Sequence, residues 1–348
     1  MELWWLLPVL GGFVLSIIFT DVVRLFALKW HVTDVPNEDR KKHKGAIPLL
    51  GGFGVYLAFT VVVLAVLWST GHFTAGAMGN AHIYGFLGGG AILMLGGYLD
   101  DRFHLKPRQS LVFPLLAASL AIVSGIEVDK VTNPAGGVFE ITSWISDAFV
   151  FIWLMGMMYT TKLLDGIDGL VSGIGAIALA MIGLVALSTA FFQPDVALLS
   201  LIAFGSVLGF LLWNMHPAQI FLGEGGSTFI GYLVGVMAVI SGSKVATALL
   251  VIGIPALDVA FVMWGRWRAG GSVKQADRSH LHFKLYDRGL GQREVTLLYF
   301  VIAILFGAVT FLFSSWLKLI ALGILFVIMI VTFLWLPKRK KHLPEMDA

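Results

Sequence analysis

The chain has 348 residues, of which 58% are hydrophobic and 13% are charged, with a formal net charge of +3 and a mean hydropathy of +0.87. Soluble domains are about 45–50% apolar and about 25% charged, so this composition excludes a soluble globular domain. The absence of cysteine excludes disulfides, thiolate metal sites and cysteine nucleophiles.

Apolar runs near the roughly 20 residues that cross a bilayer predict an all-α, polytopic membrane protein with about 10–11 transmembrane helices. The predicted spans are 3–28, 49–69, 83–99, 110–125, 145–164, 169–190, 196–213, 228–242, 245–264, 294–313 and 316–336. The first run has no basic residue before it and no clear small-residue cleavage site, so we expect a retained helix rather than a signal peptide. Without an internal repeat or a linker, residues 1–348 are expected to form a single domain.

Lysine and arginine are concentrated in alternate loops. Segments 29–48, 100–109, 265–293 and 337–348 hold nineteen of the 24 basic residues. The positive-inside rule places these segments in the cytoplasm, which predicts an N-terminus outside and a C-terminus in the cytoplasm. The stretch 126–143, with Asn-Pro-Ala-Gly-Gly at its centre, predicts a small external hairpin.

Acidic side chains recur at span ends on the predicted cytoplasmic side. Asp100 and Asp101 end the third span, Asp165 and Asp168 follow the fifth in KLLDGIDGL, and Glu224 precedes the eighth in FLGEGGSTF. If the stretch around Asp165 is helical, Asp165 and Asp168 share one face. Ionisable groups at membrane depth are costly and usually functional. Together with glycine-rich turns and basic loops, they indicate a site for a phosphorylated ligand and a divalent ion.

Each motif also has an ordinary structural interpretation. Paired aspartates can be solvated at a helix end, Asp-Gly forms turns, and Gly-Glu-Gly-Gly-Ser can be a flexible loop. His280 and His282 can be ordinary loop histidines, and loop cations act first as topology determinants. The convergence of all these features on one side of the membrane favours a functional site.

Five motifs in order resemble the polyprenyl-phosphate N-acetylhexosamine-1-phosphate transferases over about residues 30–300. The motifs are DVPNEDRKKHKGAIPLLGG, GGYLDDRFHLKP, LLDGIDGL, IFLGEGGS and DRSHLHFKLYDRGLGQRE, and the last is similar to the N-acetylglucosamine-type branch. The resemblance implies one integral membrane transferase domain, 1–348. It would transfer N-acetylhexosamine-1-phosphate, with GlcNAc as the expected sugar, from a UDP-sugar to polyprenyl phosphate and release UMP. This reaction starts a cell-surface glycan such as lipopolysaccharide or teichoic acid.

The resemblance also implies residue roles. Asp100 and Asp101 would be catalytic, with Asp100 as the base or orienter of the lipid phosphate. Glu224 and Asp101 would hold Mg²⁺. Substrate-binding residues would be Lys44, Lys162, Asp165, Asp168, Arg278, His280 and His282. The partners would be polyprenyl phosphate, a UDP-N-acetylhexosamine and membrane lipids, with no nucleic acid, and a homodimer is left open. The location would be the inner (plasma) membrane with a cytoplasmic active site.

Four positions depart from the family pattern. Tyr159 and Lys162 stand where the family has asparagines, Glu224 stands where it has aspartate, and Phe283 replaces a third histidine. The second asparagine and the acid are the positions that the family uses around its Mg²⁺. A protonated lysine has hydrogen-bond donors and no acceptor, so Lys162 cannot be a metal ligand.

Several alternatives therefore remain open. In the first alternative, Mg²⁺ is held by Glu224 and by Asp100 or Asp101, and Lys162 is turned away. In the second, Lys162 pairs with Glu224 and replaces part of the charge of the metal. The chain could also be a non-catalytic relative that binds lipid phosphate, or a peptidoglycan-type phospho-MurNAc-pentapeptide translocase. A transporter is disfavoured because the acids lie at span ends rather than near the membrane midplane.

Overall fold

The structure is a computed structural model dominated by long helices. It describes residues 3–35, 45–70, 72–73, 78–132, 137–188, 192–241, 245–268, 280–312 and 315–335. In these segments ten helices are long and apolar enough to cross a membrane. Two shorter apolar helices together cover Pro107–Val123. The expected all-α polytopic architecture is confirmed.

The elements follow one another in this order: a 3₁₀ turn (Leu3–Trp5), α1 (Leu6–Lys29), β1 (Thr33–Asp34), β2 (Ile47–Pro48), α2 (Gly51–Thr70), α3 (Asn80–Phe103), α4 (Pro107–Ser110), α5 (Val112–Val123), β3 (Lys130–Thr132), β4 (Val138–Glu140), α6 (Ser143–Leu164), α7 (Leu170–Leu187), α8 (Pro194–Asn214), α9 (Gly223–Ile240), α10 (Val245–Arg268), α11 (Leu281–Tyr286), α12 (Gln292–Leu312) and α13 (Ser315–Trp335).

Each predicted span coincides with a helix, but two boundaries differ in a way that matters for the site. Helix α3 continues through Phe103, so Asp100 and Asp101 lie in its last turn rather than after it. Helix α9 begins at Gly223, so Glu224 lies in its first turn rather than in a loop. Charged residues lower the local hydropathy, so a span predicted from hydropathy stops before them. The backbone hydrogen bonding of the helix continues past them.

The hairpin predicted within 126–143 is present as an antiparallel pair of short strands. Lys130 pairs with Glu140 and Thr132 pairs with Val138. A second two-stranded pairing joins β1 to β2 and closes the loop that follows α1. Which side of the membrane each element faces stays a prediction.

That orientation can be tested by cysteine labelling, because the native chain has no cysteine. Thr33→Cys and Ser272→Cys should react with a membrane-impermeant maleimide only from the cytoplasmic side, and Thr132→Cys only from outside, as the positive-inside rule requires. Ser272 lies outside the described residues. Reaction of Ser272→Cys from outside would overturn the predicted orientation.

Helix α9 lies at the centre of the bundle and is buried along almost its whole length. It packs against α2, α3, α6, α7 and α10. In a membrane, helices associate mainly by close packing, and small residues let their backbones approach. A side chain in the first turn of α9 is therefore surrounded by the ends of several other helices.

Glycine pairs bring α9 against α2 and α3. A Cβ atom added to Gly97 of α3 would overlap the backbone of Gly225, and one added to Gly52 of α2 would overlap the backbone of Gly226. These contacts lie within one turn of Glu224. The glycines thus determine how closely the carboxylates of α3 and α9 approach each other.

We expect Gly97→Ala to destabilise the protein by about 1–3 kcal/mol, because the added methyl group meets backbone that cannot rotate away. Thermal unfolding in detergent measures this effect. Gly156→Ala in α6 is the matched control, since its added Cβ atom would have no atom within 4 Å. Equal unfolding temperatures for the two variants would show that the α3–α9 contact tolerates a wider separation.

Candidate active site

A cavity of about 850 Å³ opens where the ends of α3, α6 and α9 meet. Its wall includes Asp100, Asp101, Lys162, Asp165, Asp168 and Glu224, which come from three separate sequence motifs. Phe283 and Tyr286 of α11 also line the cavity. The structure thus brings the acidic motifs to one site, while the roles assigned to them stay predictions.

Asp101 connects α3 to the start of α9. Both oxygens of its carboxylate lie 3.2 Å from the backbone nitrogen of Glu224, which donates to them. The first N–H groups of a helix lack partners within the helix, and a carboxylate there also interacts favourably with the helix dipole. Asp101 therefore caps α9, and its neighbour Asp100 faces the same cavity.

Glu224 forms an ion pair with Lys162 across the cavity wall. The Lys162 ammonium donates to Oε1 of Glu224, and the Ser110 hydroxyl donates to the same oxygen at 3.3 Å. The side chains of Lys162 and Glu224 are 25% and 18% exposed, so the pair is only partly accessible to water. Of the alternatives that the sequence left open, the structure shows Lys162 paired with Glu224 rather than turned away.

The turn between α6 and α7 is not helical, so Asp165 and Asp168 do not share a helical face. Helix α6 ends at Leu164, and the backbone of Gly169 is left-handed, with φ of 75°. Asp168 turns toward the segment after α8, where it accepts from His216 Nδ1 at 2.7 Å and from the Ala218 N–H at 3.1 Å. These hydrogen bonds join the turn between α6 and α7 to the segment after α8, and both line the cavity.

Asp165 lines the cavity, and the surrounding protein limits the hydration of its carboxyl. This loss of hydration raises the pKa of Asp165, and repulsion from the carboxylates of Glu224 and Asp168 raises it further. Asp165 therefore holds a proton more readily than a solvated aspartate does.

Sequence reasoning missed several polar residues that build the cavity. Asn214 accepts from the Gly169 N–H at 3.2 Å and from the Ser172 hydroxyl at 2.7 Å, which joins the end of α8 to the start of α7. His216 and Ser110 were missed as well. The available signal was the run Trp-Asn-Met-His-Pro at 213–217, which places polar residues between two apolar spans on the predicted cytoplasmic side.

The predicted substrate ligands His280 and His282 lie behind the cavity wall rather than on it. Both rings are buried and stack at 5.5 Å. His280 Nδ1 lies 3.1 Å from Asp258 Oδ2, and the Leu281 N–H donates to Asp258 Oδ1 at 2.8 Å. Asp258 is fully buried in α10 and was missed because it interrupts an apolar run only once.

Burial, and then the neighbouring His280, lowers the pKa of His282 to about 3, so its ring is neutral at physiological pH. The expected substrate contacts of His280 and His282 stay predictions. The other two predicted substrate ligands, Lys44 and Arg278, lie outside the described residues.

The Mg²⁺ site expected from Glu224 and Asp101 does not match the donor set. Oε1 of Glu224 is engaged by an ammonium and a hydroxyl, and the Asp101 carboxylate accepts the Glu224 N–H. Within the described segments, no three acidic or histidine side chains form a group that could hold a metal ion. A divalent ion beside Glu224 would also be repelled by Lys162.

The profile of glycosyl transferase family 4 matches residues 83–242, which include every acidic residue of the cavity from Asp100 to Glu224. The chain is 29% identical over 323 residues to a probable undecaprenyl-phosphate N-acetylglucosaminyl 1-phosphate transferase of Bacillus subtilis, covering 90% of this chain and 87% of that protein. It is 29% identical over 345 residues to a decaprenyl-phosphate N-acetylglucosaminephosphotransferase of Mycolicibacterium smegmatis, covering 90% and 84%. A phospho-N-acetylmuramoyl-pentapeptide-transferase of Halalkalibacterium halodurans is 26% identical over 330 residues, covering 89% and 98%.

Proposed function

We propose that the chain, whose residues 83–242 match glycosyl transferase family 4, is a member of that family and transfers an N-acetylhexosamine-1-phosphate, GlcNAc-1-phosphate in the first instance, from a UDP-sugar to a polyprenyl phosphate and releases UMP. The observation that carries this proposal is the convergence of Asp100, Asp101, Asp165 and Glu224 on one cavity at the ends of membrane helices. Relatives named for GlcNAc-1-phosphate transfer support the choice of sugar.

The two substrates account for this location. A UDP-sugar is dissolved in the cytosol, whereas a polyprenyl phosphate keeps its tail in the bilayer and its phosphate at the interface. The reaction must therefore occur at the membrane surface, and we place it on the cytoplasmic side of the inner (plasma) membrane. Asp100 and Asp101, in the last turn of a 24-residue helix, would then lie at the depth of that interface.

An apolar cavity of about 600 Å³ next to this site is suited to the first part of the lipid tail. It lies between α1, α2 and α3 and is lined by residues such as Phe26, Leu50 and Tyr98. Leu49, one residue away, lines the polar cavity. A lipid with its tail in the apolar cavity would hold its phosphate near the end of α3.

The chemistry requires positioning more than proton transfer. An oxygen of the lipid phosphate attacks the β-phosphorus of the UDP-sugar, and the bond from that phosphorus to the UMP oxygen breaks as UMP leaves with the electron pair. Because the second pKa of a phosphate monoester is about 6, the acceptor is mostly ionised at neutral pH. Asp100 would then orient the acceptor and accept the residual proton, and the cavity would hold both phosphates in line.

A peptidoglycan-type translocase is the second candidate, because the Halalkalibacterium halodurans relative matches almost along its full length. That branch carries His-His-His-Phe-Glu where this chain has His280-Leu281-His282-Phe283-Lys284. This difference favours the GlcNAc-type donor. The third candidate is a non-catalytic relative that binds lipid phosphate.

The test is an assay of purified protein with polyprenyl phosphate and separate UDP-GlcNAc, UDP-GalNAc and UDP-MurNAc-pentapeptide donors, following UMP release with and without EDTA. UMP release with UDP-GlcNAc supports the proposal. Release only with the pentapeptide donor would assign the translocase reaction, and no release with any donor would indicate a non-catalytic relative.

A further inference from the structure

We propose that the Lys162 ammonium, held in place by Glu224, supplies the positive charge at the transferred diphosphate that related enzymes obtain from a divalent ion. The proposal rests on the proposed transferase reaction. It goes beyond that reaction because it predicts UMP release without a metal requirement.

The position of the ammonium is set by helix packing. Lys162 lies in the last turn of α6 and Glu224 lies in the first turn of α9, and these two helices pack closely. At their crossing, a Cβ atom on Gly231 would overlap Thr161 Oγ1 and the Met157 carbonyl. Lys162 is thereby directed across the end of α9 rather than toward the lipid.

Glu224 holds the Lys162 ammonium in place but leaves part of it accessible from the cavity. The carboxylate accepts one of the three donors of the ammonium, and Ser110 donates to the same carboxylate oxygen. Both charged side chains line the cavity and keep part of their surface exposed to it. Donors on the cavity side remain for a phosphate oxygen of the substrate.

The pair also alters the charge available to a metal. A free Glu224 would add one negative charge to a divalent-ion site, whereas the Lys162–Glu224 pair has no net charge. A divalent ion that entered would have to displace the ammonium and then remain beside it. The longer side chain of glutamate, compared with the aspartate of the family pattern, reaches the ammonium from the first turn of α9.

During transfer the ammonium would stabilise the negative charge on the non-bridging oxygens of the β-phosphate and the charge that develops on the departing UMP oxygen. Preorganised charged donors of this kind commonly change kcat by about 10²–10³-fold when one is removed. The ammonium gives up no proton and forms no bond to the sugar. The departing UMP carries the electron pair of the broken phosphorus–oxygen bond.

The experiment is a double-mutant cycle of Lys162→Asn and Glu224→Asp, measured as UMP release across a Mg²⁺ titration that begins in EDTA. The native protein should keep its activity in EDTA to within about 2-fold, and Lys162→Asn should lose about 10²-fold. The double variant should regain activity only when Mg²⁺ is added. Lys130→Asn with Glu140→Asp, at the exposed pair of the hairpin, is the matched control and should change nothing.

Manganese binding gives a readout that does not depend on turnover. Electron paramagnetic resonance should show no tight Mn²⁺ site in the native protein and one in the double variant. Tight binding of one Mn²⁺ by the native protein, or a loss of about 10²-fold in EDTA, would overturn the proposal.

The two proposals fail in different ways. If the native protein and the double variant release no UMP from any donor, the transferase function fails, and Mn²⁺ binding still decides whether Lys162 excludes a divalent ion. If UMP is released only with Mg²⁺, the transferase function stands and the role of Lys162 is rejected.

Discussion

Asp100→Asn is expected to lower kcat for UMP release by about 10²–10⁴-fold, the range for loss of a group that orients or deprotonates a reactant. The substitution keeps the size of the side chain and removes its charge. Asp100 lies at a polar cavity wall in the last turn of α3 rather than in the packed core, so the fold should survive. Steady-state kinetics and thermal unfolding of the purified variant separate the two effects.

The matched control for Asp100→Asn is Asp129→Asn, which makes the same chemical change at an exposed residue next to the β3–β4 hairpin. It should leave kcat unchanged. Near-normal turnover of well-folded Asp100→Asn would contradict the assignment of Asp100 as the residue that orients the lipid phosphate.

Asp258→Ala is expected to lower kcat/KM by about 10²-fold, the effect of misplacing a reactive site by about 1 Å. The Asp258 carboxylate anchors the start of α11 through His280 and the Leu281 N–H. Without it, two buried donors lose their acceptor, at about 1–3 kcal/mol each. Helix α11 would shift, and with it the cavity-lining side chains of Phe283 and Tyr286.

Asp258→Asn should recover much of the activity of Asp258→Ala, because the amide keeps one acceptor oxygen for the Leu281 N–H. A purely structural role would lower the unfolding temperature of both variants while leaving KM for the UDP-sugar unchanged. An unchanged KM in Asp258→Ala would therefore contradict a positioning role.

Gly166→Ala would perturb the contact between α11 and the turn that carries Asp165, without removing a charge. Its Cβ atom would lie 2.8 Å from Phe283 Cζ and 3.2 Å from His282 Nε2, so either these rings would rotate or α11 would move away from the turn that carries Asp165. The contact links Asp258, through α11, to the acidic turn between α6 and α7.

The membrane helices were predictable from the sequence because bilayer insertion depends on local hydropathy, which a short window of residues reports. The hairpin strands were predictable for a similar reason, since turn residues at 133–137 act over a few positions. The acidic motifs Asp100–Asp101, Asp165, Asp168 and Glu224 could be identified as a group because charge inside apolar runs is rare and costly.

Only the tertiary structure decided which side chains meet. Lys162 and Glu224 are 62 residues apart, and their contact depends on the crossing of α6 and α9, which glycine and threonine contacts along the helices determine. Asp258 supports the cavity wall from behind because the start of α11 contacts it, and local hydropathy carries no information about that long-range contact. The sequence by itself thus determined the helices and the kind of charge at their ends. The pairing of those charges, and therefore the mismatch with a Glu224–Asp101 metal site, follows from long-range packing that no short stretch of sequence encodes.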